Sequence, residues 1–104
     1  MKVSFRQSGG FAGLVRGVDL DTSKLDADQA SELEKLVAAS GIQGTKSVRK
    51  QAAPDQLQYE ITIERDNQVS KLSFDEHTLP TAAQPLYRYL KPQARPMPLD
   101  SALR

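Results

Sequence analysis

The chain has 104 residues, a common size for one domain, and folding a chain of this length buries roughly two-thirds of its unfolded surface, enough for one modest core. Its 14 Lys and Arg nearly balance 13 Asp and Glu, and the net charge of +1 provides no general attraction to nucleic acid or to a lipid surface. Cysteine is missing, which excludes disulfide staples and thiolate zinc sites and fits a reducing compartment. No stretch is apolar enough to span a membrane, and Met1 to Arg6 lacks the apolar run of an export signal, so the cytoplasm is the expected location.

Lys2 to Arg6 alternates polar and apolar residues, placing Val3 and Phe5 on one side of a first strand. Ser8-Gly9-Gly10-Phe11-Ala12-Gly13 follows, with three glycines in five residues, and apolar residues return at Leu14, Val18 and Leu20. This pattern predicts a hairpin whose second strand covers Leu14 to Leu20 beyond a glycine-rich bend. Asp26, with Gln29 three residues on, marks a helix start in which the aspartate caps free amides and the glutamine reaches back. Ala30, Leu33, Leu36, Val37 and Ser40 then share a stripe, and Gly41 supplies a left-handed stop, so a helix is predicted over Ala27 to Ala39.

Gln43 to Gln56 has no periodicity and carries Lys46, Arg49, Lys50 and Pro54; it reads as a mobile basic loop available for contact. Leu57, Tyr59, Ile61 and Ile63 alternate with Gln58, Glu60, Thr62 and Glu64, the clearest half-buried strand of the chain. Arg65-Asp66-Asn67-Gln68 turns it into a fourth strand, Val69 to Phe74, in which Val69 is out of phase, as a bulge would make it. Ala82 to Leu90 puts Leu86, Tyr89 and Leu90 at helical spacing, with Pro85 in the first turn. Pro92, Pro96 and Pro98 oppose helix and central strand alike, so residues 92–104 read as a flexible tail after one domain spanning 1–91. The order ββαββα predicts an α+β fold, a four-stranded antiparallel sheet with both helices on one face and the other face wet.

Catalytic chemistry finds little footing. His77 is the one histidine, and side chains of adjacent Asp75, Glu76 and His77 alternate in direction on extended backbone, so neither a metal nor a cofactor is expected. No serine has a paired base or a G-x-S-x-G elbow, and Asp19 with Asp21 reads as a solvated pair on a hairpin. The glycine-rich bend lacks the following helix and the lysine of a phosphate loop, while Lys46, Arg49 and Lys50 have no interleaved aromatic residue for stacking nucleobases. What remains is Phe11 among Gly9, Gly10 and Gly13. Glycine opens backbone conformations closed to other residues, and an exposed aromatic residue at such a tip can anchor a protein interface; the alternative is a Phe11 that folds back to plug the sheet edge.

The run Arg6-Gln7-Ser8-Gly9-Gly10-Phe11-Ala12-Gly13-Leu14 resembles the opening signature of emfourin-type proteins, small bacterial inhibitors of thermolysin-like metalloproteases. Asp26 to Ala39 is similar to that family's leucine-rich helix, Asp55-Gln56-Leu57-Gln58-Tyr59 to the start of one of its strands, and Leu79-Pro80 through Leu86 and Leu90 to its closing helix. The resemblance implies a non-enzymatic inhibitor of thermolysin-like or protealysin-like zinc proteases, in which any zinc belongs to the target. Such proteases are similar in preferring a bulky apolar residue just after the scissile bond. Phe11, with Ser8, Gly9, Gly10, Ala12 and Gly13 around it, is therefore the expected partner-binding anchor. Arg16 on an outward strand position and the basic pair Arg49 and Lys50 are further candidates, the pair acting beside an N-terminal edge strand able to join a protease cleft through its backbone. A regulatory module that binds a folded partner without blocking proteolysis is the competing expectation, and the chain by itself is expected to be a monomer.

Overall fold

In the computed structural model, which describes residues 1–9, 15–48 and 57–97, the alternating stretches become strands of one sheet. In chain order the elements are β1 (Lys2–Ser8), β2 (Val15–Asp21), α1 (Ala27–Ser40), β3 (Thr45–Ser47), β4 (Gln58–Arg65), β5 (Gln68–Asp75), α2 (Gln84–Leu90) and β6 (Arg95–Met97). Single 3-10 turns at Thr22–Lys24, Thr81–Ala83 and Lys91–Gln93 join them. The strand order is β3-β5-β4-β1-β2-β6; β3 runs parallel to β5 and every other pairing is antiparallel.

The α+β class holds, but the four-stranded antiparallel sheet expected from the sequence is corrected to a six-stranded mixed one. Both additional strands are three-residue edges. All of Thr45–Ser47 is exposed, so β3 is defined by its backbone pairing with Lys71–Ser73, and an edge of this kind needs no apolar alternation. It forms inside the stretch read as a loop, whose residues 49–56 lie outside the described residues. β6 pairs Arg95–Met97 with Val15–Gly17 in the stretch read as a tail, and Pro96, lacking an N–H, is tolerated because this strand is an edge. Residues 98–104 lie outside the described residues.

Burial follows the alternation. Val3 and Phe5 of β1, Tyr59, Ile61 and Ile63 of β4, and Leu72 and Phe74 of β5 line one sheet face, under Leu33 of α1 and Leu86 and Leu90 of α2. Each such large side chain contributes roughly 1.5–3 kcal/mol when fully withdrawn from water. β5 carries no bulge, because its pairing with β4 is continuous from Gln58 opposite Asp75 to Arg65 opposite Gln68. Val69, at 53% exposure, simply faces solvent on the other side of the sheet. Asp66 and Asn67 both take positive φ, 51° and 63°, as a two-residue turn matched to the twist of its strands requires.

α1 starts where the sequence places it, with Asp26 Oδ1 accepting the Gln29 backbone N–H at 2.8 Å, and stops at Gly41, whose φ is 71°. The second helix begins as a 3-10 turn before Pro85 enters the first turn of α2. α2 then packs Tyr87 and Leu90 against the sheet close to the end where β1 finishes.

Candidate functional site

Strand register decides what the candidate residues share. Ser8 is opposite Gln58, Gln58 is opposite Asp75, and Val15 is opposite Met97. The Val48 N–H donates to the Ser73 carbonyl at 2.9 Å, bringing the end of β3 alongside. Gly9, Val15, Val48 and Leu57, which flank residues 10–14 and 49–56, are therefore gathered at one end of the sheet, opposite the Asp66–Asn67 turn. We call these the loop end and the hairpin end. Ser8, Gly9 and Arg16 are described at the loop end, and Gly9 takes a φ of 93° that favours glycine. Gly10, Phe11, Ala12, Gly13, Arg49 and Lys50 lie outside the described residues.

Arg16 is exposed, as the sequence suggested, though on the helix side of the sheet. It is opposite Gln7, on the sheet face that carries Phe5 and Val18, and its Nη2 donates to the Ala94 carbonyl at 3.4 Å, tying β2 to the turn before β6. The open face holds Arg6 instead. Its guanidinium lies over Gly17, the residue opposite, donates to the Phe5 carbonyl at 2.9 Å and pairs with Asp19 at 2.9 Å. That hydrogen bond holds the Asp19 carboxyl below the usual carboxylate range. Asp21 is engaged separately, accepting from the Ser23 backbone N–H at 3.0 Å and its hydroxyl at 2.7 Å, so the two aspartates do not act as a pair.

On the helix side of the loop end, four aromatic rings form one cluster. Tyr59 stacks between Phe5 and Phe74, with centroids 6.1 and 5.4 Å away, and Tyr87 meets all three edge-on at 5.4–6.0 Å. Lys91, one helical turn after Tyr87, places Nζ 5.4 Å from the Tyr87 centroid and 5.9 Å from that of Tyr59. Tyr59, Phe74, Tyr87 and Lys91, with Asp75, Glu76 and Leu79, line an open cleft of about 330 Å³. Burial pushes the Tyr59 phenol far above the ordinary tyrosine range, reinforced by the Tyr87 hydroxyl and by Glu76, whose carboxylate accepts from the Tyr59 hydroxyl at 3.3 Å.

His77 belongs to the turn that follows β5. There Asp75 Oδ1 accepts the His77 backbone N–H at 2.8 Å, and the Asp75 N–H donates to the Thr78 hydroxyl at 2.9 Å, so the buried aspartate organises a turn. Among the described residues no three His, Cys, Asp or Glu side chains are grouped to hold a metal ion. The arrangement is suited to presenting a surface. Two contributors lay outside the sequence-based set: Lys91, signalled only by its spacing from Tyr87, and Gly17, a mid-strand glycine of the sort that marks close approach of another group.

No similar curated protein and no similar solved structure was found. The model of one family, Emfourin, matches residues 5–91, from the middle of β1 past the end of α2, leaving β6 outside. That family is one of inhibitors and not of enzymes, consistent with a protease-inhibitor role and with a protease as partner. A match across so much of the chain establishes the kinship that the Ser8–Gly13 run suggested: the protein belongs to the Emfourin family.

Proposed function

We propose that this protein inhibits thermolysin-like, protealysin-like zinc metalloproteases by docking its loop end on the substrate cleft and blocking access. The observation that carries this reading is the family match over residues 5–91, which includes the whole Ser8–Gly13 run. The gathering of Ser8, Gly9 and the flanks of residues 49–56 at one sheet end supports a single contact surface. Phe11 fills the protease pocket for the residue after the scissile bond, with Ser8, Gly9, Gly10, Ala12 and Gly13 allowing the close backbone approach and Arg49 and Lys50 as further contacts to the protease. Arg16 contributes by holding β2 and β6 together. Zinc enters only as the target's own ion.

The test is the steady-state rate of thermolysin and of a protealysin-like enzyme on a peptide substrate while the protein is titrated in. Loss of activity near one equivalent is expected. Complex formation with proteolysis intact would replace this reading with that of a regulatory binding module.

A further inference from the structure

The near-zero net charge conceals a separation of charge along the sheet. At the hairpin end, Asp21 and Glu64 close their strands on either side of Lys2, Asp66 occupies the turn, and Asp26 and Asp28 open α1. Glu34 joins them there through its 3.4 Å pairing with Arg65, and these carboxylates outnumber the cations beside them, which include Lys2, Lys24, Lys35, Arg65 and the Met1 ammonium. The loop end has the opposite sign. Arg16 and Arg95 flank the β2–β6 junction, and Lys91 covers the tyrosine cleft. Arg88 follows on the flank of α2 that Gln84, Tyr87 and Lys91 share at helical spacing, and its Nη2 reaches Gln84 Oε1 at 3.4 Å. Among the described residues, the carboxylates lining the cleft with Lys91 are Glu76, hydrogen-bonded by Tyr59, and Asp75, buried in its turn.

This array stands at the same end as the strands that flank residues 10–14 and 49–56, and its cations are exposed at Arg88, Lys91 and Arg95. Opposed poles orient a diffusing molecule before contact, and like-charged rims repel the wrong approach. We infer that the loop end is a cationic docking surface for an acidic protein surface, which on the reading above is an acidic rim around the cleft of the target protease. Arg88, Lys91 and Arg95 act mainly during approach, ahead of the apolar anchor. The inference deepens the inhibitor reading and rests on it.

The experiment measures the association rate constant with a thermolysin-like protease, from progress curves of substrate hydrolysis, for the wild type, Arg88→Glu, Arg95→Glu and Lys24→Glu. All three substitutions change net charge equally, so only their position differs. Ionic strengths of about 0.01 M and about 1 M set screening lengths of roughly 30 and 3 Å. Each loop-end reversal is expected to slow association roughly three- to tenfold at low ionic strength and less than about twofold at high, with Lys24→Glu below about twofold in both. Thermal melts confirm the fold, and Arg88→Gln and Arg95→Gln serve where a reversal unfolds the protein. A wild type that inhibits but associates at a rate indifferent to salt, or equal slowing by all three reversals, overturns this inference alone. A wild type that leaves proteolysis untouched overturns the inhibitor reading and this inference together.

Discussion

A Cβ built on Gly17 would stand 2.5 Å from the Phe5 carbonyl oxygen and 2.8 Å from both Arg6 Nη1 and Met97 Sδ. Backbone cannot yield as a flexible side-chain tip does, so Gly17→Ala is predicted to cost about 1–3 kcal/mol in urea unfolding, as overpacking does elsewhere. Tyr59 is read through pH. Its folded pKa is raised, so its contribution to stability is full below the ordinary tyrosine value of about 10 and is lost as pH climbs above it. Tyr59→Phe is predicted to flatten the alkaline fall in melting temperature; an identical fall in both proteins would assign it to other groups. Phe11 belongs to function. Phe11→Ala is predicted to weaken inhibition by at least about 2 kcal/mol, roughly 30-fold in the inhibition constant, with an unchanged melt. An unchanged inhibition constant would move the anchor elsewhere.

Among elements, α1 was legible to within a residue because three signals coincide: a capping aspartate, an apolar stripe and a left-handed glycine. Asp26→Ala removes the acceptor of the Gln29 N–H and is predicted to lower stability by about 1 kcal/mol, read by thermal unfolding. β4 was legible because one of its faces is core and the other wet. The edges were not. β3 and β6 bury little, and their pairing depends on backbone groups that no side-chain pattern reports. Val69 misled for a related reason: an apolar residue on the open face resembles a slip in register until the partner strand is known. The exposure of Arg16 was legible, but not its reach to the Ala94 carbonyl, which depends on the pairing of β2 with β6.

At the scale of the molecule, the Ser8–Gly13 run could be read directly, and so could the family it resembles, later matched over residues 5–91. The shared location of Ser8, Gly9, Glu76 and Lys91 could not, because it arises from strand register across segments far apart in sequence. Composition hid the charge separation for the same reason, averaging two poles to +1. On the proposed function, the loop end is the part of the molecule that meets the protease. Amide hydrogen exchange of the protein, free and saturated with a thermolysin-like protease, tests it most directly. Slowed exchange is expected at Ser8, Gly9, Val15 and the Glu76–Thr78 turn, with the Asp66–Asn67 turn unchanged; protection confined to the hairpin end would rule out docking by the loop end.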